Sequence, residues 1–476
     1  MLGKLTLVNA DVREWEWDGE PFHAFLCDPP YEIAIAGNRW DSTGVAFQQE
    51  TWERFFAVLH PGAFGCAFAG AQMQSWVGIA SAIMGAGFVP HPTFSMISWI
   101  NATGWAKGAD VSRASDKAAG AEREKDARGY VAPDGKRLLH RKVERSTVYG
   151  KTRNVSRTLP ATPLAAEFEG YYYGVQALRP CTEPALLFQR PYVGKPLDCI
   201  TTTGAGALNV AGCRTGHAGE QKETKRSPRK GSTFSEASGG FRNEEHTSAS
   251  DNSDGRFPSN VILIHLPGCR IVGTKFEEVE EWLCEEGCPV AALARQSGEC
   301  GCGDGRQINA DDCTRFYFNA GWEWENTEPF KYAAKASVTE RECGLYGKRP
   351  CVHCGGVDTV THIERDEHTG EEYEVACRRN VHPTVKPISL TRYLATLLLP
   401  PRAYAPRRIL IPFAGVGSEV IGALLAGWEE VVAIEQDAAY CEILTARVEW
   451  FRANPEPPRR PHVERTSQEG CMDVLF

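Results

Sequence analysis

The chain has 476 residues, 42% hydrophobic and 24% charged, and carries 52 Lys+Arg against 61 Asp+Glu for a net charge of −9. That length can bury a full core and predicts two domains or one domain with a large insertion, with the composition of a soluble enzyme. No run of about 18 apolar residues occurs, and Met1-Leu2-Gly3-Lys4-Leu5 leads into a strand, so neither a membrane span nor a signal peptide is expected and the cytoplasm is the default location.

Leu5-Thr6-Leu7-Val8-Asn9 alternates like a short strand and runs into Asp11. A second strand, through Phe25, ends abruptly in Asp28-Pro29-Pro30-Tyr31, because a Pro-Pro pair cannot continue a hydrogen-bond ladder. A carboxylate, backbone carbonyls and a phenol ring are thereby gathered at a strand's C-terminal end, where open α/β sheets place ligands. A planar exocyclic amine would donate its hydrogens to Asp28 and to the Pro29 carbonyl while Tyr31 stacks on the attached ring, an arrangement that suits a base extruded from nucleic acid. Asp-Pro and Pro-Pro pairs are also ordinary loop punctuation.

Gln48 to Leu59 has helical periodicity, with Trp52, Phe55, Phe56 and Leu59 on one side. Gly65 to Phe68 predicts a strand and Met73 to Met84 a helix. Strand and helix in alternation favour a parallel α/β architecture. From Ala102 to Pro160 there are 14 basic and 7 acidic residues, with Lys107, Arg113 and Lys117 among the bases, and from Arg214 to Arg242 there are 7 and 3. Glu277 to Glu286 instead contains six glutamates. Basic patches on a net acidic protein can hold a phosphate backbone or be plain solvated surface. Ala185 to Phe188 predicts a strand after Glu183-Pro184, and Arg214 to Arg256 reads as a mobile basic loop or linker.

Seventeen cysteines, an odd number, without a secretion segment favour thiols and metal ligands over a disulfide framework. Cys269, Cys284, Cys288, Cys300, Cys302 and Cys313 lack paired two-residue knuckles. Cys351-x2-Cys354-Gly355-Gly356 is a better candidate for structural zinc, with Cys377 as third ligand, Cys343 as fourth, and His353, His362 and His368 as local alternatives. Farther on, the strand Arg408 to Phe413 enters Ala414-Gly415-Val416-Gly417-Ser418-Glu419 and an apolar helix from Val420. Gly415 and Gly417 allow close approach of a cofactor. A last strand, Glu430 to Ile434, ends at Glu435, where a carboxylate can accept hydrogen bonds from a ribose. No Walker Gly-Lys-Ser/Thr is present, so nothing points to ATP chemistry.

In order, DPPY at Asp28 to Tyr31, HPTVKP at His382 to Pro387, and PFAGVG at Pro412 to Gly417 followed by Ile434-Glu435 resemble the S-adenosylmethionine-dependent DNA amino-methyltransferases of the permuted beta group, phage and prophage modification methylases included. The likeness spans nearly the full chain, through segments such as Gly104 to Arg123 and Gly255 to Ile264. It implies a mostly parallel Rossmann-like methyltransferase sheet with an inserted target-recognition region. The implied layout is a catalytic half at 1–100, target recognition at 101–350, a candidate zinc knuckle at 351–380, a cofactor-binding half at 381–453 and a peripheral tail at 454–476. Asp28, Pro29, Pro30 and Tyr31 would be catalytic, and Asp11, Lys386, Phe413, Gly415, Gly417 and Glu435 would bind S-adenosyl-L-methionine. Double-stranded DNA is the implied partner, with a homodimer as a further candidate assembly, no membrane, and no restriction enzyme identified. Asp in the first position of DPPY moves the implied target toward adenine N6, with cytosine N4 and a catalytically inactive DNA-binding relative as the alternatives. In two places the chain departs from the family pattern: Ile411 stands for the usual Asp before Pro412, and Ser418-Glu419 stands for a threonine pair.

Overall fold

The computed structural model describes residues 2–34, 39–90, 96–100, 108–126, 158–174, 182–214, 258–263, 336, 338–365 and 372–454, together with short strands at 130–131, 137–138, 140–144, 152–156, 270–275, 279–283 and 331–332. The chain divides into a unit of Met1–Asn209, Asn260–Pro267 and Tyr332–Phe476 and a unit of Val210–Ser259 and Gly268–Lys331. After Arg214 the expected basic loop lies outside the described residues, as do Lys107, His368, the six cysteines from Cys269 to Cys313, and the tail beyond Asn454.

The first unit is built on one large sheet. Its strands are β1 (Lys4–Asn9), β2 (Phe22–Cys27), β3 (Leu59–Phe68), β4 (Met96–Ile100), β5 (Thr182–Gln189) and β6 (Val261–Leu263); after a separate hairpin of β7 (Thr361–Arg365) and β8 (Glu372–Ala376) come β9 (Arg408–Pro412) and β10 (Glu430–Glu435). The spatial order is β1-β10-β9-β2-β3-β5-β4-β6. From β1 to β3 every pairing is parallel, so the C-terminal ends of β1, β10, β9 and β2 lie along one edge. β5 runs antiparallel to both β3 and β4. The fold is therefore α/β with a mostly parallel, Rossmann-like sheet.

β2 is buried at every position, including His23, and does not alternate, as befits a central parallel strand covered on both faces. His23 stays neutral because burial pushes its imidazole down to about 4, and its Nδ1 accepts the Arg408 N–H at 3.0 Å.

Helix α1 (Gln49–Ala57) and helix α2 (Met73–Gly85) cover this sheet, and Trp52, Phe55, Ile79 and Ile83 join Phe25, Leu410, Val432 and Ile434 in one core cluster. The helix expected to reach Leu59 ends earlier: Val58 leaves helical geometry at φ −97° and Leu59 opens β3, because it pairs with Phe22. Beyond lie α3 (Val111–Ala118), α4 (Val338–Glu342), α5 (Ile388–Leu397), α6 (Ser418–Ala426) and α7 (Ala438–Ala453). No described helix is long and apolar enough to cross a membrane.

On β3, a Cβ at Gly65 would run into the buried Phe25 ring, so β2 and β3 keep their spacing only with hydrogen at that position. Gly65→Ala is expected to lower stability by about 1–3 kcal/mol in urea unfolding, with Phe25→Leu recovering part of the loss in the double variant. Purely additive losses would show that the two sites do not share this contact.

Candidate active site

Asp28 follows β2 directly, and Pro29 and Pro30 are buried while Asp28 and Tyr31 are half-buried. The turn after them is held by the buried Asp41, whose Oδ1 accepts the N–H of Tyr31 at 2.7 Å and of Glu32 at 3.1 Å. Glu32 (φ 56°) and Ala34 (φ 49°) take the left-handed conformation there. Such strain at the mouth of a site is tolerated when the surroundings determine the backbone.

Lys386, ahead of α5, reaches this tetrapeptide from the other end of the chain. Its Nζ donates to Asp28 Oδ2 at 2.6 Å and to Tyr31 Oη at 2.9 Å, lies 3.4 Å from Glu183 Oε2, and sits 5.1 Å above the Tyr31 ring. Lys386 thus stands against the DPPY residues, among the groups expected to be catalytic. Glu183 arrives because β5 is antiparallel, which puts its first residues beside the C-terminal ends of the parallel strands. Burial works against the ammonium, but the carboxylates of Asp28 and Glu183 outweigh it and raise its pKa. Burial also raises the Asp28 carboxyl, with Lys386 opposing.

The glycine loop lies at the end of the neighbouring strand β9. Phe413 (φ 56°), Gly415 (φ 50°) and Gly417 (φ 86°) all have left-handed backbones, which glycine adopts without penalty and Phe413 does not. Glu435, at the end of β10, accepts the Gly415 N–H on Oε2 at 2.7 Å and the Asp437 N–H on Oε1 at 2.8 Å. The carboxylate expected to meet a ribose therefore also welds the loop, each oxygen keeping one lone pair. Asp11 lies just past β1, whose last residue, Asn9, is in register with Glu435, and it is ion-paired with Arg13 at 2.5 Å. Hydrogen bonds from Arg13 hold the Asp11 carboxyl below its ordinary range.

Among the described residues, three buried side-chain oxygens at this sheet edge have no hydrogen-bond partner: Asp28 Oδ1, Ser418 Oγ and Glu419 Oε1. A buried acceptor without a partner is costly, on the order of 1–3 kcal/mol, unless something fills it. Glu419, one of the places where the sequence departs from the pattern it otherwise resembles, lies in the first turn of α6. It is 4% exposed. Burial, and then the charge of Asp28, push its carboxyl up to about 7. Of the three oxygens, Ser418 Oγ and Glu419 Oε1 fit an ammonium donor, and Glu419 brings an acidic side chain where Ile411 has none. Sequence reasoning gives neither Glu183 nor Glu419 a role; the one signal for Glu419 is that it departs from the threonine pair of the pattern the sequence resembles.

Cys351 (2% exposed) and Cys377 (4% exposed) lie with Cys354 and His362 so that one ligand atom from each falls within 4.8 Å of the others. The expected fourth ligand, Cys343, is not in the group: it sits on the segment after α4, where its thiol donates to the Thr339 carbonyl at 3.1 Å. The β7–β8 hairpin returns the chain so that His362 and Cys377 close the cluster instead. Among the bases expected to meet phosphate, Arg113 pairs with Asp110 at 3.4 Å at the start of α3, and Lys117 lies in its last turn.

The Glu419 proton has a measurable consequence. The folded state holds it up to about pH 7, whereas the ordinary carboxyl value is 4.5. The stability this provides is therefore complete below about pH 4.5, declines as pH rises to about 7 and levels off above. Glu419→Gln cannot lose the proton, so relative to the variant the wild type should lose up to about 3 kcal/mol between pH 5 and pH 8 in urea unfolding. Parallel stability profiles for the two proteins would show that Glu419 is ionised throughout.

No protein-family model matches the chain, and no curated protein matches it. Among solved structures it is similar to M1.HpyAVI, at 9% identity over 94% of this chain and 98% of that one, with a TM-score of 0.33. It is similar to PvuII DNA methyltransferase (cytosine-N4-specific) at 8% identity over 94% and 86%, with a TM-score of 0.32. It is also similar to TTHA0409 from Thermus thermophilus complexed with S-adenosyl-L-methionine, at 11% identity over 95% of each chain and a TM-score of 0.29. Likeness of this degree assigns no activity, and the fold rests on the strand order and register themselves.

Proposed function

We propose that the protein is a DNA amino-methyltransferase that moves the methyl group of S-adenosyl-L-methionine to the exocyclic amine of an extruded base, with adenine N6 as the favoured target. The observation that carries this reading is the division of labour on Asp28. Lys386 holds Oδ2, and among the described residues none makes a hydrogen bond to the buried Oδ1. A carboxylate fixed through one oxygen and open at the other is set to accept one hydrogen of an amine, with the Pro29 carbonyl accepting the second.

The cofactor supplies an electrophilic methyl group. The chain's own contribution is orientation: two fixed acceptors turn the amine lone pair toward the methyl carbon, which favours attack without prior proton removal. As the new N–C bond forms, the methyl–sulfur bond would break to leave S-adenosylhomocysteine, and the amine, made cationic, would give up one proton to Asp28. Its raised carboxyl pKa suits that transfer. Gly415 and Gly417 would admit the cofactor, Glu435 and Asp11 would face its nucleoside, and Phe413 would pack beside it. Glu419 Oε1 would accept from its ammonium. The region 101–350 would read double-stranded DNA, with Arg113 and Lys117 on phosphates.

Purified protein incubated with duplex DNA of varied sequence and the cofactor should yield N6-methyladenine by nucleoside mass spectrometry. N4-methylcytosine instead would select the runner-up, and methylation of RNA alone would reject the substrate class. Asp28→Ala should lower turnover by at least about 100-fold while calorimetric affinity for the cofactor changes little. Near-normal turnover in that variant would remove Asp28 from the mechanism.

A further inference from the structure

We infer that Cys351, Cys354, His362 and Cys377 form a structural zinc site, and that this site anchors the segment that delivers Lys386 to Asp28. The two halves of the inference rest on different observations.

The first is the spacing of the ligand atoms. Tetrahedral zinc with S and N ligands at the usual bond lengths requires S···S separations of roughly 3.8 Å and S···N separations of roughly 3.5 Å. Cys354 Sγ and Cys377 Sγ are 3.7 Å apart, and Cys377 Sγ is 3.6 Å from His362 Nδ1. These two separations match a tetrahedral zinc, all four ligand atoms lie within 4.8 Å of one another, and a disulfide, which would need about 2.05 Å between sulfurs, is excluded, so the cysteines are free thiols.

The loop also has the form of a knuckle. Gly355 N donates to the Cys351 carbonyl at 2.9 Å, Cys351 N to the Gly356 carbonyl at 2.9 Å, and the Arg378 N–H points at Cys351 Sγ at 3.4 Å. N–H donors to the sulfur steady the thiolates that zinc requires. Three thiolates and one imidazole on a divalent ion leave a net single negative charge, and Arg378 and Arg379 follow Cys377 directly.

The second observation is how the chain leaves the site. Arg379, 3% exposed, threads its guanidinium back into the knuckle, donating to the carbonyls of Arg349 at 2.9 Å, Val357 at 2.8 Å and Thr359 at 2.6 Å. Its backbone N–H, and that of Asn380, go to Glu342 at the end of α4. Arg341 then donates to the His382 carbonyl at 2.6 Å, and Glu340 accepts the Ile388 N–H at 2.6 Å. Cys377 to Ile388 is thus strapped to α4 at one end and to the knuckle at the other, with Lys386 inside the strap. Val352, Val357, Val360 and Ile363 of the knuckle are exposed, so little apolar packing would hold it without the metal, and the carbonyls that hold Arg379 would lose their fixed positions.

The full-length protein, purified without chelator, should carry about one zinc per chain by elemental analysis, and Cys343→Ser should keep it. His362→Ala should weaken zinc binding by at least about 100-fold in competition with a chromogenic chelator. Removing the metal should raise amide exchange in 380–388 while β9 and β10 stay protected. Metal-free, reduced protein that takes up no added zinc would overturn the site. So would zinc lost in Cys343→Ser and retained in His362→Ala. Unchanged exchange at 380–388 after metal removal would overturn the anchoring. None of these readouts depends on methyl transfer.

Discussion

The buried ammonium of Lys386 is the contact on which the rest of this site depends. It joins positions 358 residues apart, 386 and 28, and meets Tyr31 and Glu183 in the same place. A lysine at 6% side-chain exposure is costly to desolvate, and here it is matched by more negative charge than it carries. Asp28, Glu183 and Glu419 together carry more negative charge than one ammonium, and burial with the charge of Asp28 pushes the Glu419 carboxyl up to about 7, which lessens that excess when it holds its proton. Taking Lys386 away would leave several buried acids uncompensated, a loss on the order of 3–5 kcal/mol. The pair therefore both organises the site and ties the two ends of the chain together.

Sheet direction makes this meeting possible. In a parallel array all C-terminal strand ends share an edge, which brings Asn9, Asp28, Phe413 and Glu435 side by side. β5 reverses that rule: it contributes its beginning, so Glu183 enters at the edge where the parallel strands finish. The polar groups cluster because an edge of this kind is where backbone and side chains leave the apolar sheet, and the orphaned oxygens of Asp28, Ser418 and Glu419 lie there. The strained Phe413 belongs to the same edge. Its left-handed backbone is held between β9, buried at its last four positions, and the Gly415 contact to Glu435.

The Cys-His knuckle lies outside the sheet, yet it is continuous with the site through a strap of hydrogen bonds. Arg379 satisfies its charge with backbone carbonyls of the knuckle, and Asn380 and His382 are tied to α4. A long side chain such as Lys386 loses rotamer freedom on burial, and fixing its backbone beforehand reduces that cost.

The amino-acid sequence by itself determined the local events. The apolar run before Asp28 had to be a strand, and Pro29-Pro30 had to end it. The glycine turn required left-handed backbone, and Glu435, twenty residues after Gly415, fell at the end of the next strand as the βαβ spacing demands. These features are legible because each depends on neighbours a few residues away. Tertiary structure alone decided the rest. The antiparallel course of β5 put Glu183 on Lys386 across 203 residues, and register with Phe22 cut the helix short of Leu59. The β7–β8 hairpin brought His362, and not Cys343, to the three cysteines, and burial pushed the Glu419 carboxyl up to about 7. Such outcomes turn on which distant segments share a low-dielectric space, and no local pattern records that.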